Sequence, residues 1–266
     1  MASVTWEFDP DETRKVESIV EDQENDPFVS KRVQNNVREI PAKITRSGFW
    51  DAQLTALVTS QQRSGPDSPV SRFIQENLDQ LNVKKCDEAS DIQGLVSSTL
   101  ESHGGVRFYN NIGEACEKNH RLLYDDGHWD RLLNELESLR DLRTRDPNQC
   151  DAERERKVCE FIYDGVGGEG LHRIGPKQSR NLLQIMGLTR YETPLDSRIS
   201  GWINTNLDFP YHITGAGLNN PEFYNFHMDL IQALCAESGV LPCIFDAAVF
   251  SSYDSGWTEE QADSTF

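Results

Sequence analysis

The stretch "WDRLLNELESLRDLR" places Leu132, Leu133, Leu136, Leu139 and Leu142 three or four residues apart, and similar spacing recurs along the chain. That spacing gathers apolar side chains on one face of a helix, whereas a half-buried strand needs strict alternation. "FWDAQLTALVTSQQ" carries Leu54, Leu57 and Val58 on one stripe, "SGPDSP" breaks it, and "VSRFIQENLDQL" resumes with Phe73, Ile74, Leu78 and Leu81. Further helices are expected over about Asn110–Leu123, over "AERERKVCEFIYD" up to the stop at "GVGGEG", over Arg198–Asn204, and in "NPEFYNFHMDLIQALCAESG" up to Gly239. No segment sustains period-two alternation, and no unit repeats. The expected fold class is mainly α, with 266 residues that can bury a large core.

Charge narrows the reading. The chain has 44 acidic and 26 basic residues, a formal net charge of -18, and its basic residues are mostly arginine. A dense carboxylate surface suits a high-salt cytoplasm, where self-repulsion is screened; an ordinary acidic protein fits as well. The first 27 residues hold nine acids against Arg14 and Lys15 and read equally as a solvated extension or an amphipathic helix. No run approaches the roughly 20 apolar residues of a membrane span, and the N-terminal stretch lacks the apolar core of a signal peptide. A cytoplasmic monomer without membrane contact is expected. The six cysteines, Cys86, Cys116, Cys150, Cys159, Cys235 and Cys243, match no zinc or iron–sulfur spacing, so reduced structural thiols and no metal are expected.

Against that acidity, the segment from Leu171 to Ile199 carries Arg173, Lys177, Arg180, Arg190 and Arg198 against only Glu192 and Asp196. Within it, Gly175-Pro176 opens "KQSRNLLQIMG" as a helix, with Pro suited to the first position and Gly187 to the stop. The first N–H groups of such a helix are orphan donors at its positive end, a ready phosphate site. Joined through "LHRIG" to the helix before it, the segment reads as a helical hairpin spanning about 155–187. Lys177 stands at the end of a helix that disfavours a cation, and in a partly dry pocket its neutral amine becomes available as a nucleophile. Asp196 lies nineteen residues on, where the return of the chain can bring it to the same cleft. It also suits the cap of the following helix, a role compatible with facing a cleft. A plain αα-hairpin with a solvated lysine is the alternative on these residues alone. Phe223, Tyr224, Phe226, His227 and Trp202 are read as core.

"IGPKQSRNLL…PLDSRI" resembles the helix-hairpin-helix, Gly/Pro-Asp superfamily of DNA glycosylases, in which a lysine follows the hairpin and an aspartate lies some eighteen or nineteen residues later. "LTALVTSQQ" looks like the helix of that family whose final glutamine fills the space left by an extruded base, here Gln62 or Gln61. "GVRFYNNIGEA" looks like the "RFYN" helix of the archaeal 8-oxoguanine branch. Departures are His172-Arg173 where the hairpin usually has Pro-Gly, Ser197-Arg198 after the aspartate, and no iron–sulfur cysteines.

The resemblance implies a two-lobed helical glycosylase fold with the hairpin at the cleft. The expected division is residues 1–48 as an acidic extension with a first helical segment, 49–205 as the helical core, and 206–266 as a C-terminal helical part with a loose tail after about Tyr253. It implies base-excision repair of double-stranded DNA bearing a damaged base, oxidised guanine foremost, or an abasic site. Lys177 would form a Schiff base assisted by Asp196, and DNA would be contacted by Gln61, Gln62, Arg63, Arg173, Ile174, Gly175, Pro176, Gln178, Arg180 and Arg198. No redox cofactor is implied; hairpin carbonyls would offer a seat for a monovalent cation. The competing expectation is a non-catalytic helix-hairpin-helix module that binds DNA or a repair partner.

Overall fold

The computed structural model describes residues 5–146 and 151–265, so Cys150 lies outside it. Among the described residues there are fourteen α-helices and no strand. They are α1 (Pro10–Gln23), α2 (Pro27–Arg32), α3 (Arg46–Val58), α4 (Pro69–Asn77), α5 (Val83–Glu88), α6 (Ile92–His103) and α7 (Tyr109–His120). After them come α8 (Trp129–Arg145), α9 (Ala152–Glu160), α10 (Pro176–Ile185), α11 (Ser197–Asn206), α12 (Pro221–Glu237), α13 (Pro242–Tyr253) and α14 (Glu259–Thr265). Local chemistry marks many starts: Asp9, Asp26, Thr45, Ser68, Asn82, Asp91, Asp151, Asp196 and Asn220 each accept a backbone N–H at a helix N-terminus.

Two apolar cores divide the chain. One runs from Ile44 to Leu188 and centres on Phe49, Trp50, Phe73, Leu100 and Leu136. The other joins Val16 of α1 to residues from Leu195 to Val249, around Trp202, Tyr224, Met228 and Phe245. The seam falls in the loop 189–194, so Lys177 and Asp196 approach from different lobes. The acidic leader folds back on the second lobe. A capping box between Asp9 and Glu12 starts α1, Trp6 packs 4.9 Å from Phe226, and Lys15 donates to the Asn206 carbonyl at 2.6 Å.

The C-terminal segment is a correction to the expected loose tail. Trp257 packs against Phe28 at 4.9 Å and Phe250 at 5.9 Å, and is nearly fully buried with Ala262. Thr258 and Gln261 exchange side-chain-to-backbone hydrogen bonds, the capping box that begins α14. Burying one tryptophan contributes on the order of 2 kcal/mol, enough to hold a two-turn helix that could not stand alone. Among the described residues no single helix is long and apolar enough to cross a membrane; α12 and α13, bent by 98° and largely buried, pass that test only as a pair.

Candidate active site

Helices α9 and α10 pack against each other, and the chain between them makes a turn at 171–174. Leu171 N–H bonds the Ile162 carbonyl, and Ile174 N–H bonds that of Leu171. Arg173, standing where a glycine would be usual, adopts a left-handed φ of 60°, which costs an L-residue about 1–2 kcal/mol. A clamp that sequence reading missed holds this turn: buried Asn119 of α7 accepts from His172 N–H at 2.6 Å and donates to the His172 carbonyl at 3.2 Å. No side chain caps α10, and the N–H groups of Lys177 and Gln178 bond no carbonyl outside the helix.

Lys177 opens into a cavity of about 820 Å³ between the lobes, lined also by Asp196, Arg198, Asp246, Gln61 and Gln62. Burial lowers the Lys177 pKa below the usual amine value, Asp196 and Asp246 pull it back up, and Arg198 pushes it down. Among the described residues its side chain, half-buried at the cavity wall, makes no hydrogen bond and no ion pair. Asp196 is the N-cap of α11. Its Oδ1 accepts from Arg198 N–H at 2.8 Å and Ile199 N–H at 3.2 Å, while Oδ2 accepts from the Arg198 guanidinium at 2.6 Å. Arg198 also grips Asp254 at 2.5 Å, and Asp254 reaches Arg63 at 2.9 Å. The carboxylate is thereby oriented at both oxygens.

The return from Lys177 to Asp196 is pinned. Gly187 turns the chain with φ +70°, and a Cβ there would meet the Asn35 carbonyl at 2.9 Å. Buried Glu155 accepts from the N–H groups of Arg190, Tyr191 and Glu192. Burial raises its pKa to about 7 despite those bonds. Tyr224 accepts from Leu195 N–H and donates to the Thr193 carbonyl. Glu155 and Tyr224 carry no catalytic signature in the sequence, because their value lies in which distant amides they meet.

Two arginines of the basic segment, Arg180 and Arg198, meet internal acids rather than solvent, and their side chains are not free for the DNA contacts expected of them. Arg180 is 0% exposed, bonded to Glu192 at 2.6 Å, the Pro176 carbonyl and Asn225. Its charge needs a partner inside the protein, and that partner is Glu192. Gln178 is buried with its amide on the Ala56 carbonyl at 2.8 Å, and the Ile174 side chain is buried in the core. Arg198 is largely enclosed by two carboxylates. Arg173 and Arg63 remain exposed, Gly175 and Pro176 half-buried. Gln62 is tethered by Val58 and by Arg107 N–H at 2.8 Å. Gln61 is exposed, with a left-handed φ of 55°. Phe108, also left-handed and 40% exposed, follows Arg107, whose N–H holds Gln62. The three non-glycine residues with positive φ among those described thus fall on the three motifs singled out in the sequence.

No protein-family model matches the chain, and no curated protein matches it. Two solved structures do. The 8-oxoguanine DNA glycosylase of Thermotoga maritima superposes with a TM-score of 0.63 at 14% identity, over 92% of this chain and 96% of that one. The 8-oxoguanine DNA glycosylase of Methanocaldococcus jannaschii gives 0.58 at 12% identity, over 91% and 95%. The chain has the two-lobed helical fold of these DNA glycosylases.

Proposed function

We propose that this protein is a DNA glycosylase with strand-cleaving lyase activity, acting on oxidised guanine in duplex DNA. The observation that carries the reading is Lys177: an unpaired amine at a helix N-terminus, in a cavity large enough to admit a nucleoside, sharing that cavity with a carboxylate held at both oxygens. A lowered pKa enlarges the neutral fraction, and only the neutral amine is nucleophilic.

The Lys177 Nζ lone pair forms a bond to sugar C1′ as the C1′–N bond to the base breaks, its electron pair leaving with the base, which takes up a proton. The Asp196 carboxylate offsets positive charge developing on the sugar. Loss of a proton from Nζ and opening of the sugar ring give the imine; removal of a C2′ proton then expels the 3′-phosphate oxygen with its electron pair. Gln61, exposed and unengaged, is the side chain free to fill the vacated stack, while Gln62 holds the turn that presents it. The N–H groups at the start of α10 and exposed Arg173 would grip a phosphate. The Arg173 and Ile174 carbonyls accept no hydrogen bond from the described residues and would seat a monovalent cation; no step depends on it. Both members of the pair come from one chain, so a monomer suffices.

Borohydride trapping tests the reading. At low and multimolar salt, duplexes carrying 8-oxoguanine opposite cytosine, or an abasic site, should yield a covalent adduct that disappears in Lys177→Gln. DNA binding without any adduct would instead support a non-catalytic hairpin module.

A further inference from the structure

The cavity holds more polar chemistry than Lys177 and Asp196 use. Asp246 of α13 and Gln184 of α10 both line it, 7% and 0% exposed. Neither amide atom of Gln184 has a hydrogen-bond partner, nor has the indole Nε1 of Trp257, which lines the same cavity. Leaving a buried polar group unpaired costs about 1–3 kcal/mol, so several such groups around one cavity point to a ligand that completes them. Burial lifts the Asp246 carboxyl to about 7, with Arg32 opposing and the Asp196 charge adding to the rise; Gln184 stands beside it without completing a bond of ordinary geometry. Apolar walls flank these groups. Phe250, one helical turn from Asp246, stacks 4.6 Å from Phe28, and Trp257 completes the cluster.

We propose that Asp246 and Gln184 select the extruded base by reading a purine edge with a ring N–H, an exocyclic amine and a carbonyl, the edge of guanine and its oxidised forms. The inference rests on the glycosylase reading above. A carboxylate has two acceptor oxygens, matched to the ring N–H and the amine; the Gln184 amide can donate to the carbonyl. Adenine presents a ring acceptor where the carboxylate needs a donor. Hypoxanthine lacks the amine and leaves one oxygen unpaired, a loss that polar sites penalise strongly.

The experiment compares single-turnover excision from duplexes carrying 8-oxoguanine or 8-oxohypoxanthine, with borohydride trapping on an abasic duplex, for wild type, Asp246→Asn and Gln184→Leu. Wild type should favour 8-oxoguanine by about tenfold or more. Asp246→Asn should slow 8-oxoguanine excision by a similar factor and lose most of the preference, and Gln184→Leu should shift it in the same direction. Abasic trapping, with no base to read, should stay within about twofold in both variants. Equal treatment of the two bases by wild type overturns the inference, as does an undiminished preference in Asp246→Asn. Loss of abasic trapping in Asp246→Asn also overturns it, by assigning the carboxyl to the lysine or the fold. If wild type neither excises nor traps, the glycosylase reading fails. Tryptophan-fluorescence titration with guanosine and inosine then decides the base preference by itself: equal affinities overturn it, and a guanosine preference lost in Asp246→Asn upholds it.

Discussion

Lys177 and Arg180 lie three positions apart on the same helix, both withdrawn from bulk water, yet the protein treats the two cations oppositely. Around Arg180, burial works most strongly against the charge, but Glu192, together with Cys159 and Tyr224, outweighs it and raises the pKa; the Tyr224 ring lies 4.4 Å beneath the guanidinium. Arg156 and Gln232 share the other side of Glu192, so every charge in that cluster has a partner. Around Lys177 burial wins: the amine has no bonded partner, and Asp196 spends its oxygens on Arg198 and the helix start. A buried charge that is fully paired holds two lobes together. One left unpaired, on a cavity, is kept at some cost in stability, the mark of a candidate functional group.

The largest effect that could break this comparison is on chemistry. Lys177→Gln should abolish borohydride trapping, a loss above about a thousandfold, while the thermal midpoint holds or rises because an unpaired cation is removed. A clear drop in midpoint would mean that Lys177 has structural partners like those of Arg180. Arg180→Met should do the reverse, costing about 3 kcal/mol in denaturant unfolding because buried Glu192 loses its fully buried partner and keeps only Arg156 and Gln232 on its other oxygen.

Asp246→Asn probes the cavity side through pH. The Asp246 pKa is raised to about 7 in the folded protein against an ordinary value of 3.8. The native state therefore binds more protons between those values, and this group's contribution to stability falls as pH rises through that window. The variant should be more stable than wild type by on the order of 1 kcal/mol or more at pH 8, with the difference vanishing toward pH 4. Stability curves that stay parallel over that range would place the carboxyl among paired groups. Arg63→Ala should show the smallest effect, under about 1 kcal/mol, since its side chain is 70% exposed although its partner Asp254 is buried. A larger loss would make the Arg63–Asp254–Arg198–Asp196 chain a unit that holds the Asp196 carboxylate at the cavity.

Much of the site was legible because its signals are local. Gly175-Pro176 before Lys177, Gly187 at the stop and Asp196 before α11 follow from capping chemistry, and the spacing from Lys177 to Asp196 survives any rotation of side chains. The arginines misled because a count of charge along a segment says nothing about direction: Arg180 and Arg198 point inward, to Glu192 and Asp196 of the same segment and to Asp254 far along the chain. The expected loose tail failed differently. Its capping pair, Thr258 and Gln261, was in plain sight, but a single tryptophan with no neighbouring apolar stripe gave no reason to expect docking on Phe28.

By itself the sequence determined the helical class, the start and stop of α10 and the Asp196 cap of α11, because helix periodicity, proline, glycine and cap residues act within a few positions of themselves. Tertiary structure alone decided which charges are satisfied. It paired Arg180 with Glu192, clamped His172 with Asn119, and left Lys177, Gln184 and Asp246 around one cavity between two lobes. Burial and partnership are properties of surfaces that meet across the fold, and no local pattern encodes them.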